Sequence, residues 1–164
     1  MKTRVRFSMF VALFLSLVFS ASVFADGFPE MPNPSKTPGS LCAQSSKRRY
    51  PEGIVYCERN VDTKLKNQII REYDEQFGYT IRQMDRQQFK IDHFIPLSIG
   101  GSNEKSNLWP QHRSVYEVTD PLEHLLSEKI SQGLIKQSEA VRVIREAKTN
   151  LGRVPDLIHY VESM

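Results

Sequence analysis

Cysteine is scarce in this chain, with two residues, Cys42 and Cys57, among 164. No second Cys or His pair stands at ligand spacing beside them, which excludes a zinc finger or a similar structural zinc site. Tryptophan occurs once, as Trp109, and no internal repeat is visible, so solenoids, propellers and arrays are excluded. Long apolar runs are also missing except for one, Met9 to Phe19, close to the N-terminus. A surplus of positive charge is the remaining absence. The full chain has 22 Lys and Arg against 19 Asp and Glu, but Lys2, Arg4 and Arg6 precede the apolar run. Without them the two signs balance, and global charge leaves no electrostatic footprint for a polyanion.

The N-terminal pattern reads as a signal peptide over residues 1–25. It has a basic start, an apolar stretch and the small-residue exit Ala21-Ser22-Val23-Phe24-Ala25. Cys42 lies too far beyond the apolar run to be a lipoprotein anchor. Export to the periplasm or the medium follows, with no stable membrane insertion once the leader is removed. In that oxidising setting an even cysteine count predicts one Cys42–Cys57 disulfide, worth about 3 kcal/mol in the chain-entropy account.

Residues 26–40, with Pro29, Pro32, Pro34 and Pro38, predict an extended leader or tether with little core of its own. Residues 41–164 are expected to form one domain. A strand is expected over Gly53–Tyr56. A helix is expected from Thr63 to Phe77, capped by Asp62 and stopped by Gly78, with Leu65, Ile69, Ile70, Tyr73 and Phe77 on one face. A hairpin spans Phe89 to Trp109. Asp120-Pro121-Leu122-Glu123 has the composition of a helix start, with an Asp cap, Pro at the first helical position and a capping-box Glu. Gly133 closes that helix. Another is expected from Ser138, and a short turn from Pro155 to Val161. The fold class is α+β, mostly helical, wrapped around a small hairpin.

The most informative stretch lies in that hairpin. Asp92-His93-Phe94-Ile95-Pro96-Leu97 is followed by Gly100-Gly101-Ser102-Asn103 and then by Asn107-Leu108-Trp109-Pro110-Gln111-His112. Adjacent residues of an extended segment point to opposite faces, so an Asp-His doublet can hold a metal with one side chain and handle a proton with the other. These four elements, in this order, resemble the HNH nucleases, and in particular a secreted bacterial branch with a DH-x-IPL…GGSN…NLWPQ pattern. The likeness is closest from Asp92 to Glu123. It implies a β-hairpin followed by a helix that grips one divalent metal, and an endonuclease acting on nucleic acid.

The resemblance and the residue chemistry together set the expected roles. His93 is the general base, since a neutral imidazole takes a proton from water near neutral pH. Asp92 is a metal ligand, as carboxylate oxygen suits a hard cation such as Mg²⁺, with Mn²⁺ as the alternative. Asn107, which can donate and accept, ties the hairpin arms together and orients the imidazole. Many HNH chains carry a further His or Asn about nine residues after the central Asn, but here that position holds Tyr116-Glu117. His112 is therefore the leading second ligand, with Asp120 and Glu123 as rivals that read equally well as helix caps. Trp109 reads as a core anchor, and Gly100 and Gly101 as backbone devices. Arg59, Arg113 and the basic residues Lys47, Arg48, Arg49, Lys64, Lys66, Arg71, Arg82, Arg86 and Lys90 are candidates for phosphate contact.

The expected activity is metal-dependent hydrolysis of DNA, with RNA also open, by a monomer of low sequence specificity. No element is present that would read base edges. The alternative is an exported, disulfide-bonded module that binds DNA or an envelope partner on an HNH-like scaffold without catalysis.

Overall fold

The computed structural model describes residues 27–164; the expected signal peptide lies outside the described residues. The fold is α+β and mostly helical. Its elements are β1 (Arg48–Arg49), β2 (Ile54–Val55), α1 (Thr63–Phe77), β3 (Phe89–His93), β4 (Leu108–His112), α2 (Arg113–Ser131), α3 (Gln137–Thr149) and α4 (Val154–Glu162). The strands form two antiparallel ribbons, β1 with β2 and β3 with β4. Among the described residues no helix is long and apolar enough to cross a membrane. Cys42 and Cys57 are joined by a disulfide, which is compatible with a periplasmic or extracellular location.

Helix α1 forms where its sequence signals place it. Asp62 accepts from the Leu65 amide at 2.7 Å, and Gly78 takes the left-handed conformation that ends the helix, at φ 74°. Ile69, Ile70 and Tyr73 are buried against Phe89, Ile91, Leu108 and Trp109 of the β3–β4 ribbon. A second cluster lies between α2, α3 and α4, where Leu122, Leu126, Ile130, Val143, Ile144, Leu157 and Val161 enclose Ile95 and Ile99. The β3–β4 ribbon and its long connection thus lie between two apolar clusters. That sandwiching positions the site.

Two expectations differ from the structure. Of the expected tether over residues 26–40, the described part, residues 27–40, does not trail from the fold but is strapped onto it. The Thr37 hydroxyl donates to the Leu108 carbonyl at 3.1 Å and pairs with the Tyr73 hydroxyl at 2.7 Å. Gly39 N–H reaches Ser106 O at 2.8 Å. Proline has little conformational freedom to lose, so an extended proline-rich strap is ordered at low entropic cost.

Helix α2 begins at Arg113, seven positions before the Asp120-Pro121 signal. His112 is its cap, with Nδ1 accepting from Ser114 N–H at 3.2 Å. Pro121 therefore lies inside the helix. Asp120 and Glu123 project from its middle rather than capping its start.

The strap, α1 and the hairpin connection meet at Glu72. Its carboxylate contacts Lys36 at 2.5 Å and Lys105 at 2.8 Å, and accepts from Gln68 at 2.8 Å. Burial raises this carboxyl, and the two ammonium groups and the amide outweigh it, bringing the pKa from 4.5 to about 2. A carboxyl depressed in the folded state stabilises it above the unfolded pKa, and that stabilisation disappears as pH falls through the folded value. We expect a stability loss on the order of 1–2 kcal/mol between about pH 5 and pH 2. Urea unfolding across that range should show it, and the slope should flatten in Glu72→Gln. An unchanged slope would assign the acid sensitivity to other groups.

Candidate active site

The β3–β4 register pairs Phe89 with His112, Ile91 with Pro110, Asp92 with Trp109, and His93 with Leu108. Directly opposed residues share a face and the face alternates along each strand. Asp92 and Lys90 therefore lie on the side of the ribbon carrying Trp109 and Gln111. His93 lies on the other side, with Ile91, Leu108 and His112. Helix α2 runs back along the Asp92 side, where the Gln111 amide donates to the Thr119 hydroxyl at 3.3 Å.

This return brings three carboxylates together. One oxygen from each of Asp92, Asp120 and Glu123 lies within 4.8 Å of the others. Asp120 and Glu123 are three apart on α2 and so share a helical face. Two lysines serve the group. Lys90 Nζ stands 3.0 Å from Asp92 Oδ2 and 2.8 Å from Asp120 Oδ2, and 4.5 Å from the centre of the Tyr116 ring. Lys148, from α3, is fully buried. Its Nζ donates to the His93 carbonyl at 2.7 Å and approaches Glu123 Oε1 at 2.6 Å.

Two of these half-buried acids, Asp92 and Glu123, respond oppositely to this environment. Burial raises the Asp92 carboxyl, but the ammonium groups of Lys148 and Lys90 overcome it and hold Asp92 well below the ordinary carboxylate range. Burial also raises Glu123, Lys148 opposes that, and the charges on Asp92 and Asp120 add to the rise. Three acids are thus crowded where a further cation would relieve their repulsion. The donor set suits a hard divalent ion, since all three groups offer carboxylate oxygen.

Asn107 is fully buried and acts as the clasp of the hairpin connection. Its Nδ2 donates to Ile95 O and Ser102 O, both at 2.9 Å, and its Oδ1 accepts from Ile95 N–H at 2.8 Å. Ile95 follows β3, so Asn107 ties the two arms together. The His93 ring is held elsewhere, with Nε2 3.1 Å from Asn103 Oδ1. Gly101 permits the tight return, because a Cβ there would stand 1.8 Å from Ile95 O.

The structure does not bring His112 into the carboxylate group. It caps α2 and stacks on Phe28, ring centres 3.8 Å apart. Its place three residues beyond Trp109, on the opposite face of the ribbon from Asp92, follows from the two-residue period of a strand. The rivals Asp120 and Glu123 are the side chains that meet Asp92. Their spacing was visible in the sequence. Their direction was not, because it depends on where α2 starts.

The remaining candidates separate. Trp109 is fully buried, as expected of a core anchor. Arg59 donates to Ile91 O at 2.9 Å and stands 3.8 Å from Asp92. Lys47 pairs with Glu58, Arg82 with Asp74, and Arg113 with Glu117. Lys148 and Asn103 were not singled out by sequence reasoning. A lysine in a helix otherwise patterned by Ala140, Val143, Ile144 and Ala147 carries no mark of burial in its spacing alone.

Comparison with protein-family models, with curated proteins and with solved structures returns no match to this chain.

Proposed function

We propose that this protein is an exported, metal-dependent endonuclease of HNH type that hydrolyses phosphodiester bonds of DNA with low sequence specificity, since among the described residues no element is built to read base edges. The observation that carries the reading is the convergence of Asp92, Asp120 and Glu123 into one carboxylate group, with the ring of the adjacent His93 at its edge, Nδ1 3.8 Å from Asp92 Oδ1. A divalent ion on these carboxylates, Mg²⁺ or Mn²⁺, would neutralise the scissile phosphate and stabilise the departing 3′ oxygen. His93 accepts the proton of the attacking water. Asn107 holds the backbone that carries His93, and Lys148 fixes the His93 carbonyl while balancing Glu123. Asp92, Asp120 and Glu123 replace the Asp92–His112 pair as the ligand set.

One observation favours a non-catalytic binding module instead. Lys90 already bridges Asp92 and Asp120, as in a self-sufficient ion-pair network. Calorimetric titration of the mature protein with Mn²⁺ separates the two readings. The nuclease reading expects one saturable site, lost in Asp92→Ala, weakened about 10-fold or more in Asp120→Ala and Glu123→Gln, and unchanged in His112→Ala. Plasmid cleavage should require Mg²⁺ or Mn²⁺ and stop on chelation. Absence of both metal binding and cleavage would leave the binding module as the better account.

A further inference from the structure

The Gly100-Gly101-Ser102-Asn103 segment reads in the sequence as a turn, yet its last residue faces the imidazole. Asn103 Oδ1 lies 3.1 Å from His93 Nε2. The same oxygen accepts from Asn60 N–H at 3.2 Å, and Asn103 Nδ2 donates to Glu58 O at 2.7 Å. A backbone N–H can only donate and a carbonyl can only accept, so these two contacts fix the orientation of the amide. Turning it over would set donor against donor at Asn60 and acceptor against acceptor at Glu58. The atom presented to His93 is therefore an acceptor, and Nε2 must carry the proton.

The other ring nitrogen faces a different neighbour. Nδ1 stands 3.8 Å from Asp92 Oδ1, too far for a hydrogen bond. The lone pair of the neutral ring is thus on Nδ1, toward the carboxylate side. The anchor that holds Asn103 is itself secured. Glu58 and Asn60 follow Cys57, which is bonded to Cys42. Arg59, between them, donates to Ile91 O in the strand that bears His93.

We propose that Asn103 is a positioning residue that holds His93 in the Nε2–H tautomer, so that Nδ1 is the nitrogen that accepts the proton. The catalytic consequence rests on His93 being the general base, whereas the tautomer is a property of the folded, metal-free chain. Conserving the acceptor should conserve the tautomer. Removing it should release the ring to a mixture.

Long-range ¹H–¹⁵N correlation on the oxidised mature protein, labelled at histidine and held near pH 9 where imidazole is neutral, reads the tautomer directly. The four histidines are assigned by comparison with His93→Gln. In wild type, Nε2 should resonate as a protonated nitrogen and Nδ1 as a bare one. Asn103→Asp keeps an oxygen for Nε2 and for Asn60 N–H while losing the donor to Glu58 O, and in folded protein it should keep that pattern. Asn103→Leu should shift both nitrogens toward averaged values and lower kcat about 10–100-fold with KM nearly unchanged, the usual cost of losing an orienting partner. A proton on Nδ1 in wild type would overturn the proposal, and that measurement needs no variant to fold. An unchanged tautomer in folded Asn103→Leu would overturn the role of Asn103. If wild type has the expected tautomer but cleaves nothing, the nuclease reading fails and the assignment of the ring stands.

Discussion

His93→Ala is expected to lower DNA cleavage by about 10²–10⁴-fold while leaving divalent-metal affinity close to wild type. The separation follows from the ribbon. The carboxylates that would bind the ion come from Asp92 and from α2, whereas the His93 side chain leaves the other face of the strand, brings only the edge of its ring to 3.8 Å from Asp92, and is not part of that group. Losing the imidazole removes the proton acceptor and leaves the ligand oxygens in place. Alanine also empties a buried position, so His93→Gln, which conserves more volume, should be measured beside it to separate lost packing from lost chemistry. Single-turnover cleavage of a labelled duplex and calorimetry with Mn²⁺ provide the two readouts. Cleavage by folded His93→Ala within a few-fold of wild type would remove His93 from the mechanism. Equal loss of metal binding would make it a ligand instead.

Lys148→Met is expected to be the most destabilising single change near the site, by about 3–5 kcal/mol in metal-free protein. The ammonium group is fully buried, donates to the His93 carbonyl and stands against Glu123. Its removal leaves the half-buried Glu123 facing Asp92 and Asp120 with no cation from α3, and orphans a backbone acceptor. Two further measurements distinguish this from a simple packing defect. Lys148→Met/Glu123→Gln should recover part of the loss, because the pair is removed together. Millimolar Mg²⁺ should stabilise Lys148→Met more than wild type, since a bound cation supplies the missing positive charge and stabilises by mass action. Urea unfolding within about 1 kcal/mol of wild type would mean that Glu123 finds another partner.

Asp120 and Glu123 illustrate how a correct local pattern can carry the wrong meaning. Asp-Pro-x-Glu has the composition of a helix start, and Pro at the first helical position is favourable. Here the His112 cap and the packing of Val115 and Thr119 begin α2 earlier, and the same residues become a mid-helix face turned toward Asp92. The tertiary cost of an internal proline is accepted because α2 packs against β4, α3 and α4 along its length. His112 shows the converse. Its proximity in sequence to the Trp-Pro-Gln run suggested a ligand, and strand alternation turned its ring away.

Much of the architecture was determined by the sequence alone, through short-range physics. The Asp62 cap, the apolar stripe of α1 and Gly78 define that helix without reference to anything distant. The apolar residues around Asp92-His93, the Gly100-Gly101 reversal and Asn107 define a hairpin with a fixed inside and outside. The cysteine pair defines one bridge. Tertiary structure decided which polar groups meet. Register and the start of α2 placed Asp120 and Glu123 beside Asp92, the burial of α3 delivered Lys148 to the back of His93, and the disulfide-held segment set the orientation of Asn103. Secondary structure follows periodicities of two and 3.6 residues that can be read locally. Contacts between groups tens of residues apart depend on helix starts and packing angles, which no single segment specifies.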